Sequence, residues 1–170
     1  GFRNITISNC VIAGSKGVSL ESADGAFLED IAISNVTMRD IVDAPLFLRL
    51  NRRNRGPKET MRPGTLRRVL ISNIVSYHSA SFKSSMLSGI PSNLIEDVKI
   101  NNCYFGNTGL PTTIDSGASA KPFPDWHTIK VPEIEDAYPD LNRFGPMPSS
   151  GLFIRHLKNF ELAHVEIASA

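Results

Sequence analysis

A short phrase recurs along this chain at intervals of a few tens of residues. Ile5-Thr-Ile-Ser-Asn-Cys10 returns as Ile31-Ala-Ile-Ser-Asn-Val36, as Val69-Leu-Ile-Ser-Asn-Ile74 and as Val98-Lys-Ile-Asn-Asn-Cys103. A weaker fifth copy, Phe160-Glu-Leu-Ala-His-Val165, places His164 where the others carry Asn. Repeats at this spacing predict a stack of similar units, each covering the apolar face of the next.

Apolar and other residues alternate strictly within each copy. Ile5, Ile7, Ile31, Ile33, Val69, Ile71, Val98 and Ile100 alternate with Thr6, Ala32, Leu70 and Lys99. A period of two predicts a strand with one buried face. The Asn follows the last inward Ile by two positions and is therefore expected to point inward at a bend. There it would bond to backbone and to the Asn of the next copy, as in the ladders of parallel β-helices. A leucine-rich repeat is the main competitor, but its Asn stands three residues after the strand Leu and its repeats run about 20–29 residues. Here the offset is two, and Asn9, Asn35, Asn73, Asn102 and His164 are separated by 26, 38, 29 and 62 residues. A constant strand with variable loops fits an all-β, single-stranded parallel β-helix, partial, of about five coils. Second strands are expected at 17–22, 44–50, 85–90 and 151–157.

Residues 1–170 are read as one partial β-helix domain with two insertions, a basic loop at 51–65 and a long excursion at 106–150. The excursion is rich in Gly, Pro and Ser and contains the single Trp. It is too long for an ordinary connection and is expected to fold over the coils as a lid or wall. The chain opens and closes beside repeat strands, so it is expected to be a segment of a longer protein. Cys10 and Cys103 occupy the same repeat position three copies apart. At ~4.8 Å per strand that is roughly 14 Å, beyond the ~7 Å reach of a disulfide, and both are read as small apolar core residues.

The 18 basic and 17 acidic side chains nearly cancel, so overall charge points to no partner. No apolar run reaches the ~18–20 residues of a membrane-spanning helix. The cations are nonetheless clustered. Arg49, Arg52, Arg53, Arg55, Lys58, Arg62, Arg67 and Arg68 put eight of 18 into twenty residues, with Glu59 as the single acid among them. Guanidinium forks suit carboxylates and phosphates, so this loop is a candidate anion site for an acidic polysaccharide; a solvated charged loop is the plain alternative. No aromatic residues are interleaved, which argues against a nucleic-acid platform. Glu21 lies on the strand one coil before Arg49 and is expected to face the same groove. Asp24-Gly25 reads as a tight turn. Trp126 offers either a sugar-stacking face or a wedge against the wall. Glu133, Glu135 and Asp136 after Pro132 read as a helical first turn. His164 is expected to be an internally satisfied group. No spacing of His, Cys and acids suggests a metal site, and no cofactor is implied.

The stretches Gly1-Phe-Arg-Asn-Ile-Thr-Ile-Ser-Asn-Cys10, Leu28-Glu-Asp-Ile-Ala-Ile-Ser-Asn-Val-Thr-Met-Arg-Asp40, Ala44-Pro-Leu-Phe-Leu-Arg-Leu50, Ser88-Gly-Ile-Pro91 with Ile95-Glu-Asp-Val98, Val131-Pro-Glu-Ile-Glu-Asp-Ala-Tyr-Pro-Asp-Leu-Asn-Arg-Phe-Gly145 and Gly151-Leu-Phe-Ile-Arg-His156 appear in order. Together they resemble the polygalacturonase family of glycoside hydrolases (family 28), in its bacterial pectin-degrading branch. The resemblance implies a right-handed parallel β-helix, secretion or a periplasmic location, and inverting hydrolysis of galacturonosyl bonds by a pair of aspartates. The family's Asn-x-Asp, Asp-Asp and Gly-His-Gly signatures do not occur in this chain and are expected upstream of Gly1. Its substrate-binding Arg-Ile-Lys falls on Ser19-Leu20-Glu21, with both cations replaced. The candidate substrate-binding residues are thus Arg49, Arg52, Arg53, Arg55, Glu21 and Trp126. Two other functions share the architecture: a non-catalytic module binding acidic glycans, and a polysaccharide lyase, which would want a calcium-binding Asp cluster.

Overall fold

A computed structural model describes residues 1–80, 83–109 and 121–169. They form an all-β fold of nine strands: β1 (Phe2–Ala13), β2 (Val18–Ser22), β3 (Phe27–Arg39), β4 (Leu46–Leu50), β5 (Thr65–Ser79), β6 (Ser85–Ser88), β7 (Ile95–Asn107), β8 (Leu152–Arg155) and β9 (Leu157–Ser169). Short 3₁₀ turns occur at Lys58–Thr60, Trp126–Thr128 and Leu141–Phe144. The odd-numbered strands make a five-stranded sheet in the order β1-β3-β5-β7-β9, and the even-numbered strands a four-stranded sheet in the order β2-β4-β6-β8. Every pairing is parallel. The chain thus passes from one sheet to the other and back with each repeat.

The repeats stack in register. Ile5, Ile31, Val69, Val98 and Phe160 form one row across the five-stranded sheet, and Ile7, Ile33, Ile71, Ile100 and Leu162 form another. Ile31, Val69, Val98, Ile33, Ile71 and Ile100 of these rows meet Leu46, Leu48, Leu50 and Leu87 of the four-stranded sheet in the main core, while Ile7 and Leu162 in the end strands are exposed. Cys10 pairs in register with Val36, and Cys103 with Val165. Both thiols are free, and burial raises the Cys103 pKa.

The ladder of amides exists, with its direction corrected. Asn35 Nδ2 donates to Asn9 Oδ1 at 3.3 Å, Asn73 to Asn35 at 3.0 Å and Asn102 to Asn73 at 2.7 Å. These residues are exposed, not inward. Each has a left-handed backbone, with φ of 56°, 54°, 55° and 52° for Asn9, Asn35, Asn73 and Asn102. A left-handed residue interrupts the strict two-residue pleat. Ile33 is buried, Asn35 two residues on is exposed, and Val36 immediately after it is buried again. Asn adopts this conformation more readily than other side-chain-bearing residues. His164 takes the same turn with φ 52°, and it too is exposed rather than internally bonded.

Five residues earlier in each repeat a second bend appears at Asn4, Asp30, Arg68, Asp97 and Asn159, all with φ between 55° and 59°. The long strands therefore share two bends, and β5 has a further left-handed residue at His78, φ 55°. Beside this corner runs a row of alternating charge, Arg3, Glu29, Arg67, Glu96 and Lys158, each opposite the next in register.

The four-stranded sheet has a second covered face. Phe47, Met86 and Phe153 pack there against Val131, Ile134, Leu141, Phe144 and Met147. The 131–147 part of the excursion therefore lies along this sheet as a wall. Residues 110–120 of the excursion lie outside the described residues. Glu133, Glu135 and Asp136 do not begin a helix; the segment from Lys130 to Asp140 has no regular structure.

Candidate functional site

The basic loop leaves β4 at Asn51 and rejoins the sheet at Thr65. Two contacts fix its path. Asp24 and Gly25, with φ of 55° and 77°, form the tight turn between β2 and β3. A Cβ on Gly25 would stand 2.6 Å from the Arg62 carbonyl oxygen, so the loop closes against this turn only because Gly25 has none. Arg53 then forks onto Asp24, with Nε donating to Oδ1 at 3.1 Å and Nη2 to Oδ2, while the Arg55 backbone N–H donates to Oδ1 at 3.1 Å. The Arg53 hydrogen bonds hold the Asp24 carboxyl down to about 2. Arg53 also lies over the Tyr138 ring at 5.1 Å.

With Arg53 and Arg55 turned to Asp24, the loop presents Arg52, Lys58 and Arg62. They wall a cavity of about 400 Å³ together with Asn54, Ser92 and Asn93, over Met61 and Ile90. No carboxylate among the described residues lines it. Lys58 and Arg62 are exposed and make no ion pair among the described residues. Arg52 does: Nη2 donates to Glu135 Oε2 at 3.0 Å, and Nε lies 3.5 Å from Asp136 Oδ1. Three cations around one opening favour a ligand with carboxylate or phosphate groups.

Arg49 lies elsewhere. Glu21, Arg49, Ser88 and Arg155 form one row across the four-stranded sheet, on the face covered by the 131–147 wall. Arg49 is 0% exposed. Its Nη1 donates to Ser88 Oγ at 2.7 Å and to the Gly89 carbonyl at 2.8 Å, and its Nη2 to the carbonyls of Glu133 and Ile134 at 2.6 and 3.1 Å. Burial, then the neighbouring Arg155, lowers the Arg49 pKa to about 10, so it remains a cation at neutral pH. Arg155 donates to Ser88 Oγ at 3.1 Å, to the carbonyls of Val131 and Pro132 at 2.9 and 2.6 Å, and to Glu133 Oε1 at 3.1 Å. Glu133 Oε1 also meets His156 Nε2 at 3.1 Å. Ile134, a β-branched residue, is held at φ 48°, a strained conformation for that side chain.

The sequence-based candidates thus divide. Arg52 lines the cavity. Arg53 and Arg55 shape it by holding the turn. Arg49 is a buried anchor for the wall and faces no open groove. Glu21 borders a separate 240 Å³ cavity with Lys16, Asp43, Tyr138 and Asp140, where Ser19 Oγ donates to its carboxylate. Trp126 is 52% exposed. It stacks on His127 at 3.5 Å and borders a third cavity, of about 560 Å³, with Met147, Leu162 and Ile167. The residues that sequence reasoning missed are Arg155, His156 and Glu133, which face each other from strand and wall. Comparisons with family models, curated proteins and solved structures give no match to this chain.

Proposed function

We propose that the two sheets are faces of a right-handed single-stranded parallel β-helix of about five coils, a reading supported by alternation of the chain between parallel sheets. We further infer that the chain binds an acidic saccharide and serves as the cationic wall of a polygalacturonase-like glycoside hydrolase acting on galacturonate-containing polysaccharide. The carboxylate pair of the inverting reaction lies, in this reading, in coils outside this sequence. One observation carries the proposal: Arg52, Lys58 and Arg62 surround a cavity that no carboxylate among the described residues lines. A polymer with one carboxylate per sugar matches that arrangement, and a neutral one does not.

A galacturonate oligomer titrated into the protein at low ionic strength should bind saturably. Added salt should weaken binding, because exposed charges are screened. The double variant Lys58→Ala/Arg62→Ala should bind about tenfold more weakly, roughly two partly exposed charge contacts. Equal affinity for a neutral glucan oligomer, or no loss in the double variant, refutes the assignment.

A second reading is a non-catalytic module for acidic glycans. It is favoured by the 131–147 wall, which covers β4, β6 and β8 where an open groove would otherwise run. A full-length protein that binds pectic oligomers without releasing reducing ends would decide for it.

A further inference from the structure

Arg52 belongs to two structures at once. It walls the cationic cavity, and it is the point where the acidic strap 133–136 is tied to the basic loop. Its backbone N–H donates to the Glu135 carbonyl at 2.8 Å, and its guanidinium pairs with Glu135 and Asp136. Beside it, Asn51 Nδ2 donates to the Ala137 carbonyl at 2.6 Å.

The strap is held at its other end by charge as well. Glu133 Oε1 takes a hydrogen bond from Arg155 and lies against His156 Nε2. Within four residues the strap thus sets Glu133, Glu135 and Asp136 against Arg155, His156 and Arg52. Its packing is incomplete: Glu133 Oε2 is buried without a partner, as is Nε of Arg49 next to it in the cluster. Buried polar atoms without partners are uncommon and costly. Ile134 adds a strained backbone in the middle of the same segment. The strap is anchored by ion pairs and carbonyls over a strained turn, not by regular structure.

We propose that residues 133–136 act as an internal acidic competitor for the cationic cavity. Glu135 and Asp136 occupy Arg52 in the free protein. A polyanionic saccharide that reaches Lys58 and Arg62 takes Arg52 from them and loosens the strap over β4 and β8. This rests on the acidic-saccharide reading above and adds its regulation: the protein binds long, densely charged ligands in preference to single sugar acids, because only several carboxylates together outcompete the strap. Linkage requires the converse, that a loosened strap raises affinity.

The test is the double variant Glu135→Gln/Asp136→Asn. The Asp136 side chain is 75% exposed and the Glu135 side chain 25% exposed, and both substitutions keep the side-chain shape while removing its charge. Galacturonate trimer and monomer are titrated into this variant and into the unaltered protein, each with and without Arg52→Ala. The strap variant should bind the trimer about threefold to tenfold more tightly, the range of two exposed ion pairs, and Arg52→Ala should abolish that gain. In the unaltered protein, trimer should speed amide hydrogen exchange in 133–137. Equal trimer affinity in the two chains, or a gain that survives Arg52→Ala, overturns the strap proposal alone. Binding by neither chain overturns the saccharide reading and the strap with it. Unchanged exchange in 133–137 on saturation also overturns the strap.

Discussion

Glu29 stands opposite Arg67 in the register of β3 and β5, with its Oε1 2.9 Å from Arg67 Nε. It is only 2% exposed. Arg3 holds its other oxygen at 2.8 Å, Arg68 reaches the same oxygen at 3.0 Å, and the Thr65 hydroxyl donates to Oε1 at 2.7 Å. One carboxylate therefore ties three successive strands of the five-stranded sheet.

The Thr65 hydroxyl, then Arg3 and Arg67, lower the Glu29 pKa from 4.5 to about 2. A folded pKa below the unfolded value means that the unfolded chain takes up the proton more readily. The stabilisation is complete above about pH 4.5 and is lost as the pH falls towards 2. Glu29→Gln should therefore be less stable than the unaltered protein at pH 7, and the difference should shrink through pH 4 and nearly vanish near pH 2. Urea midpoints across that range measure it. A difference independent of pH would contradict the assignment.

Arg49→Met removes a buried guanidinium while roughly keeping its volume. The carbonyls of Glu133 and Ile134 then lose their donor, while Ser88 keeps Arg155 and the Gly89 carbonyl keeps the Ser88 hydroxyl. Unpaired buried acceptors cost about 1–3 kcal/mol each before relaxation. We expect a loss of about 2–4 kcal/mol in the unfolding midpoint experiment, with faster cleavage by a Glu-specific protease after Glu133 or Glu135. A variant as resistant as the unaltered chain would show that the wall does not depend on Arg49.

Asn73 sits in the middle of the exposed ladder with φ 55°. Asn73→Ala removes two ladder bonds and forces a left-handed Ala, at about 1–2 kcal/mol. Asn73→Gly loses the same bonds without the backbone penalty. The glycine variant should therefore have the higher thermal midpoint of the two. The reverse order would mean that the side-chain bonds, not the backbone turn, govern this corner.

The repeat made the register legible. Asn9, Asn35, Asn73 and Asn102 align as the phrase alone requires, and the four second strands fall within the stretches expected for them. The outward direction of the ladder was hidden because a strict period of two leaves no place for a left-handed residue. A signal was present: Asn4, Asp30, Asp97 and Asn159 each precede a ladder position by five residues, and residues of this kind tolerate that turn. Arg68 in the same row broke the pattern.

The candidate site was legible as a cluster of charge but not in its division of labour. Arg49, Arg52 and Arg53 look alike in sequence. One is buried, one lines the cavity and one is pinned to Asp24, and each fate is set by a partner distant along the chain. Arg49 meets Glu133 across 84 residues and Arg53 meets Asp24 across 29. Pro132 before Glu133, Glu135 and Asp136 gives the local signal of a helix start, whereas Arg155 at the end of β8 and His156 just after it decide the role of Glu133.

The two bends shared by the long strands have a consequence for how this architecture can change. The four residues between them are the same in number in every repeat, so no residue can be added there without shifting the rows on both sides. The stretches from Asn51 to Gly64 and from Thr108 to Gly151 connect the sheets outside those corners. Doubling such a connection costs only about 0.6 kcal/mol in closure entropy. New chain, and with it new chemistry, can therefore accumulate at the connections while the corners stay rigidly counted.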